Sequence, residues 1–220
     1  MLYYENKAKK QGFQFIVGID EAGRGPLAGP VVASAVILTK KRFRHKIQDS
    51  KTLTPQQREN AFHEIFQNGY LGVGIMNEAV IDEINILEAT YRAMAQAVER
   101  LIDRLPAKKK LHKNFAKKVC LLVDGQSFRA DLPYSYKTII RGDQLSRSIA
   151  CASIVAKVIR DRILATYDAV YPQYGFKEHK GYPTRKHRMA LKRFGPSAIH
   201  RKTFRFHEAM TYGVKRPPIF

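Results

Sequence analysis

The stretch that decides the fold is Ile16-Val-Gly-Ile-Asp-Glu-Ala-Gly-Arg-Gly-Pro-Leu-Ala-Gly-Pro-Val-Val-Ala-Ser-Ala-Val-Ile-Leu38. Two apolar runs rich in β-branched residues, 16–19 and 31–38, flank a segment that contains three glycines and two prolines. This pattern predicts two strands joined by a tight connection. Asp20 and Glu21 stand where the first strand is expected to end.

Two neighbouring acids directly after a buried strand are costly, because a desolvated carboxylate must be paired, protonated or bound to a cation. Metal binding by Asp20 and Glu21 is therefore the working hypothesis. The alternative is that both acids cap a turn or lie in solvent. Consecutive strand residues point to opposite faces, so the two side chains converge only if the backbone bends there, and the glycines that follow allow a bend.

The segment Gly23-Arg24-Gly25 suggests a ligand contact. Glycine lets backbone groups approach a ligand closely, and arginine offers a fork that suits phosphate. The alternative is a plain exposed turn. Ser50 and Lys51, just before a predicted helix, are candidate phosphate ligands, with a local turn and a solvated lysine as the alternative.

Acidic residues close two further apolar runs. Residues 119–123 are wholly apolar and lead into Asp124 and Gly125, and residues 138–140 lead through Arg141 and Gly142 to Asp143. The ends of strands in an α/β sheet cluster at one edge, where ligands bind. The sequence therefore predicts that Asp20, Glu21, Asp124 and Asp143 meet at one site.

The remaining pattern alternates between helices and strands. We expect a helix from Pro55 with an apolar face of Ala61, Phe62, Ile65 and Phe66, and a strand over 70–76. A helical pattern over 78–105 is broken near Asn85, and a long helix over 145–171 should lie flat against the sheet. Its charged residues Lys157, Arg160, Asp161 and Arg162 are expected to face partners or one another. Residues 1–12 are expected to be loosely held, with a short helical turn as the alternative. The basic run 108–118 is expected to be a solvated loop. A loop over 171–184 then leads to a short basic helix over 185–194, which ends at Gly195 and Pro196.

Composition points to a polyanionic partner. The chain of 220 residues carries 39 Lys and Arg against 19 Asp and Glu, a formal charge of +20. Nucleic acid is favoured over a membrane surface, because neither a basic amphipathic helix with exposed apolar residues nor a lipidation signal is found. Aromatic residues among the basic residues of the tail suit stacking on sugars or bases, or else fix the tail to the core: Tyr174, Phe176, Tyr182, Phe204 and Phe206.

Other features bound the class of protein. One domain is the default at this length. Cys120 and Cys151 lie in apolar runs without metal-ligand spacing, which predicts buried free thiols, a reducing compartment and no zinc site. The first residues lack the apolar segment of a secretory leader, and the longest apolar run is too short to span a bilayer. We therefore expect a soluble, cytoplasmic protein.

The chain resembles ribonuclease HII over almost its whole length. The resemblance rests on many spaced blocks that occur in order: 19–33, 49–51, 85–90, 123–125, 141–143, 152–161, 181–187 and 194–201. It implies an α/β ribonuclease H-like fold, with a mixed β-sheet flanked by helices and a helical C-terminal extension. The core would span about 12–172 and the substrate-binding extension about 173–220. Arg24 favours this family over the related type HIII enzymes, which usually have lysine there and an extra N-terminal domain.

The resemblance also implies an activity. Ribonuclease HII hydrolyses the RNA strand of RNA–DNA hybrids and nicks DNA on the 5′ side of an embedded ribonucleotide, leaving a 3′-hydroxyl and a 5′-phosphate. The implied catalytic and metal-binding residues are Asp20, Glu21, Asp124 and Asp143, the acids already selected at the strand ends. The implied cofactors are two divalent ions, Mg²⁺ or Mn²⁺, with Asp20 expected to bridge them.

The resemblance assigns substrate contacts as well. Gly23, Arg24 and Gly25 would contact the ribose 2′-hydroxyl, and Tyr182 would stack on the adjoining sugar. Asn85, which begins one of the matching blocks, joins Ser50 and Lys51 among the predicted substrate-binding residues. We expect RNA–DNA hybrid and ribonucleotide-containing duplex DNA as partners, no membrane, and a monomer.

Two other classes of function remain open at this point. A basic nucleic-acid-binding protein without catalytic activity would explain the charge and the aromatic residues, but not the three acidic strand ends. A different metal-dependent nuclease or strand-transfer enzyme on the same fold would keep the acids. Cleavage of an all-DNA duplex, compared with one that contains a single ribonucleotide, separates the last class from ribonuclease HII.

Overall fold

A computed structural model of the chain describes residues 1–40, 42–110 and 114–204. Five strands form one mixed sheet in the order β3-β2-β1-β4-β5. The strands are β1 Phe15–Ala22, β2 Val31–Leu38, β3 Gly69–Met76, β4 Val119–Asp124 and β5 Ser135–Ile139. The helices are α1 Tyr3–Lys10, α2 Pro55–Gln67, α3 Glu78–Arg104, α4 Ala107–Lys110, α5 Gly142–Leu145, α6 Arg147–Val170, α7 Phe176–His179 and α8 Arg185–Phe194. The predicted mixed sheet flanked by helices is confirmed.

The strand pairing brings two of the predicted acids together. β1 pairs antiparallel with β2 and parallel with β4, in a register that places Ile19 opposite Val123. Asp20 and Asp124 are the next residues on the two strands. Because paired residues in a sheet share a face and neighbouring strands lie about 4.8 Å apart, these two carboxylates are neighbours.

Helices cover both faces of the sheet, and β1 alternates between them. Its residues Phe15, Val17 and Ile19 pack in the large core with α3, whereas Ile16 packs with residues that include Ile149 of α6. Gly18 faces α6 so closely that a Cβ atom there would lie 2.1 Å from the carbonyl carbon of Ser148. The same alternation directs Asp20 toward α6.

Most element boundaries follow their predicted signals. Thr54 accepts a hydrogen bond from the backbone N–H of Gln57 while the Gln57 side chain accepts one from the N–H of Thr54, so α2 begins with a capping box before Pro55. The break in α3 is at Asn85, whose φ is 67° and whose side chain accepts from the N–H groups of Leu87 and Glu88. Cys120 and Cys151 are buried free thiols, as predicted.

Several predictions about local structure were wrong. Residues 1–12 are not loosely held: α1 packs on the sheet, and buried Glu5 accepts hydrogen bonds from Ser146 and Ser148 at the start of α6. Phe66 is 62% exposed, because it lies beside the apolar face of α2 instead of on it. The basic run 108–118 is in part helical: it overlaps α4 and a 3₁₀ turn at Phe115–Lys118.

The region around α6 also differs from the prediction. The strand before Asp143 ends at Ile139, and Asp143 lies in the separate short helix α5. Ser146 is extended and caps α6, so the long helix begins at Arg147. Arg160 does not face a partner: it is 1% exposed. Lys157 and Asp161 do face each other, 2.7 Å apart. None of the helices in the described ranges is long and apolar enough to cross a membrane.

Candidate active site

A cavity of about 210 Å³ lies at the end of β1, and most of the predicted site residues line it. Every residue from 20 to 25 contributes, so the cavity reaches both faces of the strand end and both acids of the first motif border it. The full lining is Asp20, Glu21, Ala22, Gly23, Arg24, Gly25, Ser50, Lys51, Asp124, Ser153, Lys157, Arg160 and Tyr182. Asp143 and Asn85 are the predicted site residues that do not line it.

Asp20 is the most buried of the four acids, at 5% exposure. One of its oxygens accepts the backbone N–H of Glu21 at 2.7 Å, and the hydroxyl of Ser153 on α6 is near enough to oppose the rise of its pKa. Burial raises its pKa well above the ordinary value, and the charges of Glu21 and Asp124 add to that rise. A carboxylate in this position is destabilised until a cation or a proton joins it.

Asp124 and Asp143 are placed by the turn after β5. An oxygen of Asp124 accepts the backbone N–H of Gly142 at 2.6 Å, which orients the carboxylate next to Asp20. Burial raises the pKa of Asp143, and the charges of Asp124 and Asp49 raise it further, whereas Lys51 lowers it. Asp143 therefore belongs to the same electrostatic cluster although it does not border the cavity.

Glu21 lies between the acids and the loop that follows. Burial raises the pKa of its carboxyl, and Asp124 contributes in the same direction, while Arg24 lowers it. The Arg24 guanidinium approaches the Glu21 carboxylate at 3.4 Å and its side chain is 51% exposed. This ion pair is long and solvated, which leaves Arg24 free to exchange Glu21 for another anion.

The donor set suits hard divalent cations. Four carboxylates offer the oxygen ligands that Mg²⁺ and Mn²⁺ prefer. In the part of the chain that the structure describes, no three His, Cys, Asp or Glu side chains are already spaced to hold a metal ion. Burial raises the pKa of Asp20, Glu21 and Asp143, and a neighbouring carboxylate raises each further, so a bound cation would stabilise the charged form of the cluster.

Ser50 and Lys51 reach the cavity from a 3₁₀ turn. The Ser50 hydroxyl is buried and lies 2.9 Å from the hydroxyl of Ser153, which lines the cavity beside Asp20. Burial alone would lower the pKa of Lys51, but the charges of Asp49, Asp143, Asp20 and Asp124 outweigh it and raise that pKa. The ammonium group thus faces the acidic cluster, whereas Ser50 is hydrogen-bonded within the protein.

Two buried arginines hold the loop 23–30 through its carbonyl groups. Arg160 donates to the carbonyl oxygens of Pro30, Lys180 and Ala28 at 2.9–3.1 Å. Arg201 donates to those of Gly23, Arg24 and Gly29 at 2.6–3.0 Å. The φ of Gly23 is +101°, and a Cβ atom there would lie 2.1 Å from Nε of Arg160, so only glycine fits.

The aromatic residues of the tail divide into two groups. Tyr182 is 45% exposed and lies beside Gly25. Tyr174 and Phe176 are buried and fix the tail to the core, which was the alternative to stacking on sugars or bases. Phe204 packs against the core beside the guanidinium of Arg201. Phe206 lies outside the described residues. Asn85 caps the second part of α3 and its predicted substrate contact stays a prediction.

Sequence reasoning missed four residues of this region: Ser153, Lys157, Arg160 and Arg201. Arg160 was predicted to face a partner, because charged residues on a helix are usually exposed. Serine in an otherwise apolar helix was the one available signal for Ser153, since a buried hydroxyl needs a partner. Nothing in the pattern around Arg201 indicates that its guanidinium is buried.

The mixed sheet and its order define the class of the protein: it has the fold of ribonuclease H-like nucleases. The family model described as Ribonuclease HII matches residues 17–207. Ribonuclease HII of Acholeplasma laidlawii is 50% identical over 204 residues, 92% of this chain and 93% of that protein. That of Geobacter sulfurreducens is 50% identical over 203 residues, 92% and 87%. The chain belongs to the ribonuclease HII family.

Solved structures agree on the fold. A complex of PCNA and RNase HII from Archaeoglobus fulgidus matches with a TM-score of 0.71 and 22% identity, over 90% of this chain and 98% of that one. Bst-RNase HIII in complex with Mn²⁺ matches with a TM-score of 0.56 and 13% identity, over 83% and 66%.

Membership carries the activity of the family. The chain is an endonuclease that cleaves RNA in RNA–DNA hybrids and at ribonucleotides embedded in DNA. The family is metal-dependent. Family membership therefore excludes the two other classes of function, a non-catalytic binding protein and a different metal-dependent nuclease or strand-transfer enzyme on the same fold.

Proposed function

We propose that this activity takes place at the cavity beside β1, where Asp20, Glu21, Asp124 and Asp143 hold two divalent ions, Mg²⁺ or Mn²⁺. The observation that carries the proposal is the convergence of acids from β1, β4 and α5 at one end of the sheet, inside a chain of charge +20. When bound, two such ions activate water and stabilise the charge on the phosphate and the leaving oxygen. The expected products are a 3′-hydroxyl and a 5′-phosphate.

The protein's own residues orient the acids. The N–H of Glu21 holds Asp20, and the N–H of Gly142 holds Asp124, so both carboxylates keep one direction; Ser153 lines the cavity beside Asp20. Ser50 supports this arrangement through Ser153. Lys51 faces the acids and is placed to contact a phosphate of the substrate.

The loop 23–30 and the exposed Tyr182 recognise the ribonucleotide in this proposal. The 2′-hydroxyl is the chemical group that distinguishes RNA from DNA at a given site. Gly23, Arg24 and Gly25 line the cavity, and the Tyr182 ring lies beside Gly25, so a sugar bound there meets backbone groups on one side and an aromatic face on the other. Arg24 is placed to exchange Glu21 for the phosphate of that nucleotide.

Three further predictions accompany this proposal. The chain is one domain, and the part after residue 172, with α7 and α8, contributes to substrate binding; residues 205–220 of that extension lie outside the described residues. The helix α8 carries five Lys and Arg residues, which suit contacts with phosphate groups. The protein is expected to act as a monomer in the cytoplasm.

The proposal is tested with Asp124→Asn and two duplexes, one all-DNA and one with a single ribonucleotide, with and without Mg²⁺. The wild type should cut only the ribonucleotide-containing strand, and only with the metal ion. Asp124→Asn should lose this cleavage while a gel-shift assay still detects the complex with the duplex. Cleavage that survives the substitution would contradict the assignment of the acids, and equal cleavage of both duplexes would contradict reading of the 2′-hydroxyl.

A further inference from the structure

The segment 199–201 lies between the two parts of the proposed recognition site. The N–H of Gly29 donates to the carbonyl of Ile199 at 2.8 Å, and the N–H of Arg201 donates to that of Leu27 at 2.9 Å. His200 thereby forms an antiparallel bridge with Ala28. Two consecutive side chains then leave this bridge in different directions, Arg201 toward the loop 23–30 and His200 toward the loop that carries Tyr182.

Arg201 fixes the orientation of the peptide groups of the loop. Its Nη2 donates to the carbonyl of Gly23 at 2.6 Å, and its Nη1 donates to that of Arg24 at 2.9 Å. In a trans peptide the N–H points opposite to the C=O. The N–H groups of Arg24 and Gly25 therefore point away from the buried guanidinium. They are the donors that a hydroxyl oxygen in the cavity would meet.

His200 reaches the tyrosine loop through a second histidine. The N–H of Ser197 can only donate, so Nδ1 of His200, 2.9 Å away, carries no proton and accepts. The proton of His200 is then on Nε2 and is donated to Nε2 of His187 at 2.9 Å. His187 keeps its own proton on Nδ1 and donates it to the carbonyl of Tyr182 at 2.9 Å. Both rings are buried.

We propose that Arg201 and the pair His200–His187 are positioning residues for ribonucleotide recognition. Arg201 presents the N–H groups of the loop, and the histidine pair sets the place of Tyr182 relative to them through the shared bridge at Ala28. This inference rests on the proposed function, because it takes the loop and Tyr182 as the reader of the ribonucleotide. None of the three residues touches the substrate; they act by holding the groups that do.

Histidine 187 permits a matched pair of variants. The amide of asparagine reproduces Nδ1 of histidine, so His187→Asn keeps a donor to the carbonyl of Tyr182. The amide of glutamine reproduces Nε2, so His187→Gln keeps the contact with His200 and loses the one with Tyr182. The two variants differ by one methylene group and by which contact survives. Arg201→Lys keeps the charge but loses the fork that holds two carbonyls at once.

The measurement is kcat/KM on duplex DNA with a single ribonucleotide, with thermal unfolding of each variant in parallel. Arg201→Lys should lower kcat/KM by about 100-fold, the cost of a misplaced recognition group. His187→Gln should lower it by about 10-fold, and His187→Asn by less than about 3-fold. Ile65→Ala, in the core of α2, is the control for loss of stability alone, and its kcat/KM should equal that of the wild type below its melting temperature.

A double-mutant cycle with Tyr182→Ala separates positioning from general destabilisation. If His187 acts through Tyr182, His187→Gln adds nothing to the loss caused by Tyr182→Ala. Additive losses, or equal values for His187→Asn and His187→Gln, would overturn the proposal while the proposed function stands. Should Tyr182→Ala itself leave kcat/KM unchanged, Tyr182 is not part of the reader, and the proposed recognition site and this inference both fail.

Discussion

The two sides of the cavity bury charges of opposite sign: carboxylates at the end of the sheet and guanidinium groups behind the loop 23–30. On the side of the sheet, burial raises the pKa of Asp20, and the like charges of Glu21 and Asp124 raise it further. On the side of the loop, Arg160 and Arg201 are just as buried, yet every hydrogen bond that we describe for them goes to a backbone carbonyl. The acids are left in need of a cation, whereas the arginines are satisfied by the chain itself.

This difference separates function from stability within one cavity. A charged group that lacks a partner costs folding free energy and is ready to bind a ligand of opposite sign. A charged group that donates from each of its nitrogens to backbone carbonyls stabilises the loop around it and has less to offer a ligand. Substitutions on the two sides should therefore move activity and stability in different combinations.

Asp20→Asn should have the largest effect on activity and the opposite effect on stability. Loss of one ligand of the cation site should lower kcat by about 1000-fold. Removal of a buried carboxylate whose pKa is raised should increase the free energy of unfolding at pH 7 by about 1 kcal/mol. Steady-state cleavage and urea unfolding test both statements, and a variant that is inactive because it is less stable would break the comparison.

Arg160→Met should lower stability most. The substitution leaves the carbonyls of Pro30, Lys180 and Ala28 buried without their donor, so the free energy of unfolding should fall by about 3 kcal/mol or more. Arg162→Met is the matched control on the same helix, because Arg162 is half exposed and pairs with Glu59 at the surface; its loss should be below about 1 kcal/mol. Equal losses in urea unfolding would show that the guanidinium of Arg160 does not support the loop.

Acid should weaken the loop side through the histidine pair. Burial lowers the pKa of His200 to about 4, and the nearby charges of His187 and His179 add to that effect. An unfolded histidine titrates near 6.5, so the contribution of neutral His200 is complete above that pH and is lost as the pH falls from 6.5 toward 4, by about 2–3 kcal/mol.

The test compares the wild type with His200→Gln at several pH values. The excess stability of the wild type should shrink between pH 6.5 and 4, whereas the acids of the cavity contribute equally to both proteins and cancel in the difference. A difference in unfolding free energy that is constant over this range would mean that the pKa of His200 is not lowered.

Arg24→Ala should change stability least, although it lies in the same loop as the carbonyls held by Arg201. Its side chain is half exposed and its contact with Glu21 is long, so the free energy of unfolding should change by less than about 0.5 kcal/mol. Binding of the ribonucleotide-containing duplex should nevertheless weaken. A large loss of stability would mean that Arg24 supports the loop instead of facing a ligand.

The contrast between the acids and the buried arginines also explains which residues could be predicted from the sequence. Asp20 and Asp124 were predictable because strand ends carry a pattern, an apolar run closed by an acid, and the topology of an α/β sheet brings such ends together. The capping box at Thr54 and the break at Asn85 follow local rules of the same kind. The resemblance to ribonuclease HII gave Gly23–Gly25 and Tyr182 their expected roles toward the ribonucleotide, and these residues line the cavity.

Arg160 and Arg201 could not be predicted in this way. Their partners are carbonyl groups, which every residue carries, so no complementary residue type marks the contact. The burial of Glu5 could not be predicted either, because its partners at the start of α6 lie more than 140 residues away in the chain. Asp143 lies near Asp124, but it was predicted at the end of a strand and belongs to α5. A helix of four residues after β5 is too short to show a helical pattern of apolar residues.

Gly18 fixes the distance between α6 and β1 at the active site. At that residue the backbone of α6 packs directly against the backbone of β1. No side chain lies between them that could change the distance between helix and strand. Ser153 of α6 and Asp20 of β1 line the same cavity, and the close approach at Gly18 sets the distance between them. A single methyl group at residue 18 would push α6 away from β1, and the wall of the cavity that Ser153 forms would move away from Asp20 without any change to the acid itself.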